Sequence, residues 1–146
     1  MTDAIKSVFT ATASATGGRN GHTQAKDGLV KADLSVPREM GGPGKPNTTT
    51  PEHLFAAGYA ACFGGAIDFV AAQRKVEAKN VTVTTDVAIG PREKGGFGLA
   101  VTHHVASPSV PTALLTELAT EAHEKICPYS HATRGNVQVD LDVKGA

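Results

Sequence analysis

Along the chain, apolar and polar positions switch between a period of two and a period near 3.6, and these switches mark the elements. From Ile5 to Ala15 (IKSVFTATASA) small or apolar side chains alternate with polar ones, which predicts a strand. Gly17-Gly18-Arg19-Asn20-Gly21 reads as a turn, and Leu29 to Val36 alternates again until Pro37 ends it. Gly41 to Thr50 is rich in Gly, Pro, Asn and Thr, a loop ahead of a helix. That helix begins near Pro51, with Thr49 or Thr50 as cap, Pro in the first turn and Glu52 at the positive end of the dipole, and runs to about Gln73. Val81 to Ile89 and Gly98 to Ala106 form a hairpin around Gly90 to Gly96. Pro111 opens a second helix, with Leu114, Leu115, Leu118, Ala119, Ala122 and Ile126 on one side, which ends at Cys127-Pro128. Val137 to Val143 is a closing strand whose Val and Leu side chains share one face.

Strands do not alternate regularly with helices in this order, so the fold class is α+β rather than a doubly wound sheet. The length of 146 residues fits one domain, 1–146, with no internal repeat or linker. The helix from Pro51 is apolar almost all round and reads as buried on most sides. A domain this small has difficulty covering such a helix alone, so part of it is expected to pack on a second subunit.

Composition narrows the function classes. Fourteen basic and 14 acidic side chains balance, which disfavours nucleic-acid binding through phosphates. Aromatics are 5% of residues with no Trp, too few for base-stacking platforms. The N-terminus, Met1-Thr2-Asp3-Ala4-Ile5-Lys6, lacks the basic and apolar regions of a signal peptide, so a cytoplasmic location is expected. Leu54 to Ala72 is the one candidate membrane span; Asp68 interrupts it and Ala and Gly dominate, so it reads as a core helix and no span is expected. In a reducing compartment, two cysteines point to reactive or metal-binding thiols more than to a structural bridge.

Cys62 lies mid-helix in Gly58-Tyr59-Ala60-Ala61-Cys62-Phe63-Gly64-Gly65. A lone Cys in an apolar helix is usually an inert small hydrophobe. The glycines beside it cost about 1 kcal/mol each relative to Ala, so close packing or substrate access must justify them. Cys127 precedes Pro128-Tyr129-Ser130, which resembles a glutaredoxin active site, but a helix precedes it and thioredoxin-like folding is disfavoured. Pro128 can start a new helical turn that places Cys127 near a positive helix end. Together the cysteines suggest a peroxidatic and a resolving thiol. Such a pair needs a cation to hold the thiolate and a group to aim the cation. Arg19 and Glu52 are the candidates, against the plainer readings of a surface Arg and of a helix N-terminal acid. Glu52 and Cys62 stand ~15 Å apart along one helix at about 1.5 Å per residue. If all serve one site, Arg19 and Glu52 are therefore expected from a partner subunit.

The histidines offer competing readings. His103 and His104 are adjacent in a predicted strand and point to opposite faces. His123 and Cys127, at i and i+4, have a zinc-ligand spacing, but no Cys-x-x-Cys or His-x-x-x-His pair supplies two more ligands, so no metal is expected. A Cys–His hydrolase would use His123 or His131 as base, yet no nucleophile elbow is present.

Thr50-Pro51-Glu52-His53-Leu54-Phe55-Ala56-Ala57-Gly58-Tyr59-Ala60-Ala61-Cys62-Phe63 and Cys127-Pro128-Tyr129-Ser130-His131-Ala132-Thr133-Arg134-Gly135-Asn136 resemble the two signature segments of organic hydroperoxide resistance proteins, the Ohr branch of the OsmC/Ohr superfamily. Gly17-Gly18-Arg19 and Pro37-Arg38-Glu39-Met40-Gly41-Gly42 also match, so the resemblance spans nearly the whole chain. It implies an intertwined α+β homodimer, with sheets enclosing long central helices and two interfacial sites. It further implies a thiol peroxidase that reduces organic and fatty-acid hydroperoxides to alcohols. Cys62 would be the peroxidatic thiol, Cys127 the resolving one, Arg19 the thiolate-stabilising cation and Glu52 its orienting partner. The implied electron donor is a lipoyl-type dithiol, dihydrolipoamide or a lipoylated protein, with no bound cofactor. Asn20, His53 and His131 stand where an acidic residue, Gln and Asn are common in the family; they bear on the Arg19 loop rather than on the reaction. Two other classes remain: a module that sequesters a lipid or thiol ligand, and a stress-associated structural dimer with inert cysteines.

Overall fold

The computed structural model describes residues 2–146, and Met1 lies outside the described residues. The chain divides into two compact units, Met1–Pro51 and the rest from Glu52 to Ala146.

The N-terminal unit holds a three-stranded antiparallel sheet of β1 (Ala13–Thr16), β2 (His22–Ala25) and β3 (Lys31–Asp33), in that order. Both predicted strands are shorter here than their alternating patterns. Residues 5–12 are not a strand, and Ile5, Val8 and Phe9 are exposed. The β1–β2 turn is a 3-10 turn at Gly18–Asn20. Gly17 and Gly18 take φ of 80° and 59°, the left-handed region that side chains resist, and a Cβ on Gly21 would strike the Thr16 carbonyl. The Asn20 side chain ties the turn down by accepting the Val36 N–H at 2.9 Å. An acidic side chain could accept the same bond, so Asn20 keeps that anchoring function while removing a charge.

The C-terminal unit contains α1 (Pro51–Gln73), the hairpin β4 (Thr82–Pro91) and β5 (Phe97–Ala106), then α2 (Thr112–Glu121), a π turn (Ala122–Ile126), α3 (Pro128–Thr133) and β6 (Gln138–Lys144). β4 and β5 pair antiparallel, Val87 opposite Val101, and β5 and β6 pair parallel, His103 opposite Leu141. A parallel pair demands a long crossover. Here α2, the π turn and α3 provide it, and Cys127 sits between the last two.

The core lies where α1 and α2 pack on this sheet. From α1 it takes Tyr59, Phe63, Ala66, Ile67, Val70 and Ala71, which recur at helical spacing on one face. Val101 and Val105 of β5, Leu115, Leu118 and Ala119 of α2, and Val110 join them. Burying each large side chain fully contributes about 1.5–3 kcal/mol. Val139, Leu141 and Val143 of β6 pack against this cluster as one face of their strand. The expectation that α1 is buried on most sides holds for one face only. By length and mean hydropathy of 1.6 alone it would suffice to cross a membrane, and 33% of its most apolar window is buried within the chain.

The two neighbouring histidines of β5 point to opposite faces as expected. His103 is buried, whereas His104 spans three strands on the outer face, with Nδ1 2.8 Å from Asp142 and Nε2 2.8 Å from Asp86. Hydrogen bonds to Asp142 and then to Asp86 raise its pKa above the ordinary imidazole value of 6.5. A raised folded-state pKa stabilises the fold fully below the unfolded pKa, and the contribution fades as pH rises through the folded value. His104→Gln is therefore expected to cost more stability at about pH 5.5 than at about pH 9. Urea unfolding of both proteins at the two pH values checks this, and an equal loss at both would show that the carboxylate clamp does not titrate.

Candidate active site

Cys62 lies on α1 immediately before the buried Phe63, on the flank of the core face, and is half-buried. Cys127 is fully buried on the crossover. The π turn delivers it: the Cys127 N–H bonds the Ala122 carbonyl at 2.8 Å, and the backbone then becomes extended, at φ −66° and ψ 119°. Pro128 opens α3 at the position where a missing N–H costs nothing. Cys127 is thus the N-cap of α3, its Sγ accepting the Ser130 N–H at 3.4 Å as a Ser or Asp oxygen would elsewhere. The new helical turn expected after Cys127 is present.

This geometry brings the two free thiols together. The Cys127 S–H points at Cys62 Sγ across 3.6 Å. Burial is the largest influence on the Cys62 thiol and pushes its pKa above the ordinary value; the backbone N–H of Tyr129 opposes this, and the neighbouring Cys127 thiol reinforces it. The glycines beside Cys62 divide by role. A Cβ on Gly58 would sit 3.4 Å from the Tyr129 ring, so Gly58 is where α3 closes on α1. A Cβ on Gly65 would meet nothing within 4 Å, which marks an open face.

Behind the thiols lies a largely buried polar cluster. Tyr59 Oη stands 2.8 Å from Ser130 Oγ and 3.1 Å from Thr133 Oγ1, and His123 Nδ1 is 2.8 Å from Ser130 Oγ. Arg134 reaches back to donate to the His123 carbonyl at 2.6 Å. Burial first, then the Arg134 charge, lowers the His123 pKa. His103 stacks on Phe63 at 4.4 Å between centroids and meets Tyr59 edge-on at 4.2 Å. Its Nδ1 shares a hydrogen with Thr85 Oγ1 at 2.8 Å, and burial, then His123 and His104, lowers its pKa to about 4. It is a neutral aromatic plate of the core.

Of the other predicted site residues, Arg19 lies on the 3-10 turn of the N-terminal unit. Glu52 is in the first turn of α1, half-buried, where Glu52, His53 and Ala56 share a surface hollow with Thr85, Asp86 and Val87 of β4. His123, the candidate zinc ligand or base, directs its Nδ1 to Ser130, and His131 lies exposed beside Arg134. Sequence reasoning missed Tyr59, Ser130, Thr133 and the role of His103. One signal was available: a Tyr in an otherwise apolar helix needs a partner for its hydroxyl.

The site is thus a half-buried and a buried thiol meeting between α1 and α3 of an α+β fold. A model of the OsmC-like protein family matches residues 42–142. The organic hydroperoxide resistance protein of Xanthomonas axonopodis pv. citri is 48% identical over 142 residues, which are 97% of this chain and 98% of that protein. The crystal structure of an organic hydroperoxide resistance protein from Elizabethkingia anophelis, with thiocyanate bound, superposes with a TM-score of 0.89 at 42% identity, covering 97% of this chain and 100% of that chain. That of organic hydroperoxide resistance protein OhrB of Bacillus subtilis gives a TM-score of 0.86 at 42% identity, over 94% and 100%. The chain belongs to the OsmC-like family, in its organic hydroperoxide resistance branch.

The proximity of the thiols predicts an intrachain disulfide formed without domain rearrangement. A dithiol-specific oxidant such as diamide is expected to remove about 2 Da per chain and leave no alkylatable thiol. Intact mass before and after treatment reads this, and a protein that keeps two alkylatable cysteines would contradict the geometry.

Proposed function

We propose that the protein is a cysteine-based thiol peroxidase that reduces organic and fatty-acid hydroperoxides to alcohols and so confers hydroperoxide resistance. The observation that carries this reading is the 3.6 Å approach of two reduced thiols, one half-buried and one fully buried. The Cys62 thiolate attacks a peroxide oxygen, the O–O bond breaks, and an alcohol leaves, with Cys62 oxidised to the sulfenic acid. The Cys127 sulfur then attacks the Cys62 sulfur, and its proton leaves with the hydroxyl as water. A lipoyl-type dithiol, free or on a lipoylated protein, reduces the disulfide and becomes a disulfide itself. That donor and its reducing pool fit a cytoplasmic enzyme.

Burial pushes the Cys62 thiol the wrong way for a nucleophile, so the reaction requires positive charge at the sulfur. Arg19 is proposed to supply it and Glu52 to orient Arg19. The apolar surroundings suit an alkyl tail. No metal or bound cofactor takes part in these steps.

The assembly proposed is a homodimer whose two units in each chain act as one domain. Ala57, Ala61, Gly65 and Phe69 form an exposed stripe along α1 at spacing i, i+4, and small side chains there permit close approach of a second helix. Phe69 is 51% exposed. Arg19 and Glu52 are then contributed to Cys62 from the partner subunit, consistent with the ~15 Å between Glu52 and Cys62 along their helix.

One equivalent of cumene hydroperoxide is expected to lower the mass by about 2 Da per chain, with hydrogen peroxide much slower. Cys62→Ser should consume none, and Cys127→Ser should consume one equivalent and then fail to turn over with dihydrolipoamide. Arg19→Ala should retain the fold and lose at least about 100-fold in reduction rate, the scale of one lost electrostatic stabiliser. Binding of a lipid hydroperoxide with no mass change would favour a sequestering module instead. Ala61→Glu is expected to place a charge in the α1 stripe and shift the protein to monomer with loss of activity; sedimentation velocity reads the assembly, and an unaltered active dimer would exclude this face as the interface.

A further inference from the structure

The hydroxyl cluster behind the thiols is a directed circuit that the peroxidase steps above leave without a role. Each hydroxyl has one hydrogen to give. Thr133 Oγ1 donates its own to the Ser130 carbonyl at 3.1 Å. The hydrogen across the 3.1 Å contact between Tyr59 and Thr133 must then come from Tyr59. With that hydrogen committed, Ser130 supplies the one across the 2.8 Å contact to Tyr59. Ser130 has none left, so His123 must carry a hydrogen on Nδ1 and donate it to Ser130 Oγ at 2.8 Å. Only this order gives all four contacts a proton. Tyr59 and Ser130 are 0% exposed and Thr133 4%, so bulk water does not compete.

The circuit joins the two elements that bear sulfur. Tyr59 is on α1, less than one turn before Cys62. Ser130 is on α3 and gives its backbone N–H to Cys127 Sγ at 3.4 Å. α3 has six residues, too few to persist on intrinsic propensity, so its placement depends on such ties. We propose that Tyr59, Ser130 and His123 are positioning residues for the resolving thiol: their circuit holds α3 against α1 and sets the rate at which Cys127 closes on the Cys62 sulfenic acid. This inference rests on the peroxidase reading.

The step breaks the S–O bond of Cys62 and forms the S–S bond, and the Cys127 proton leaves with the hydroxyl as water. Its competitor is a second hydroperoxide, which oxidises the sulfenic acid to sulfinic acid and is itself reduced to an alcohol. The partition between disulfide and sulfinate therefore reports the circuit, separately from the first attack.

The test is single-turnover and excess-oxidant reaction with cumene hydroperoxide, with products read by intact mass as a loss of about 2 Da for the disulfide or a gain of about 32 Da for the sulfinate. Ser130→Ala and Tyr59→Phe are expected to slow disulfide formation about tenfold, the scale of a buried hydrogen bond lost with its partner left unmatched. The sulfinylated share should rise accordingly, with little change in the first step. His123→Asn, which can present an N–H near the Nδ1 position, should restore most of the rate that His123→Leu loses. Should Ser130→Ala fail to fold, the near-isosteric Tyr59→Phe and the Asn/Leu pair carry the test. Wild-type partition in Tyr59→Phe, equal slowing of both steps, or identical behaviour of Asn and Leu would each overturn the proposal. A wild-type protein that forms neither sulfenate nor disulfide would instead overturn the peroxidase reading itself.

Discussion

A phenol hydroxyl carried into a dry core must find partners, and the burial of Tyr59 is the constraint from which the rest of the site follows. Tyr59 and Phe63 face inward on α1 because the helix has one face against the sheet and α2. Leaving the Tyr59 hydroxyl unpaired there would cost about 1–3 kcal/mol. Ser130 and Thr133 meet it, both on a helix too short to stand alone. Because Cys127 caps that helix and Cys62 flanks Phe63, satisfying one hydroxyl also fixes how far apart the two sulfurs lie. Their separation of 65 positions in sequence is bridged by polar pairing as much as by apolar packing.

Around this junction the core is aromatic rather than aliphatic, in a chain otherwise poor in rings. Phe55, Tyr59, Phe63, His103 and Tyr129 meet edge-on or stacked, with centroids 4.2 to 6.4 Å apart. His103 joins them only because burial keeps it neutral. Its Nδ1 pairs with Thr85 Oγ1, and its buried Nε2 has no hydrogen-bond partner among the described residues. A charged imidazole in the same place would set a cation within the hydrophobic cluster that carries the thiols.

The elements that local chemistry governs were legible from the sequence. The predicted helix from Pro51 to about Gln73, the hairpin and the closing strand fall where period and breakers put them, and the signature segments around Cys62 and Cys127 identified the family. Period two was less informative for Ile5 to Ala15, where the strand forms only from Ala13. Alternation shows that a segment suits a sheet, not that an edge is available to it. The π turn before Cys127 has no pattern of its own, since it is an adjustment of helix to crossover. Tyr59 and Ser130 are 71 residues apart, and neither advertises the other. His103 and His104 were correctly split between faces, but which would become a core plate and which a carboxylate clamp depended on the neighbouring strands.

The apolar setting of Cys62 works against its ionisation. Every apolar contact that shields Cys62 favours its thiol over its thiolate, and the second cysteine, 3.6 Å away, adds to that penalty. The Tyr129 amide supplies partial positive charge from the same short helix, but the balance still lies on the side of the thiol. The proposed peroxide attack therefore calls for a full positive charge at the sulfur. Arg19, the residue proposed to supply it, follows two left-handed glycines, Gly17 and Gly18, on a turn anchored by Asn20.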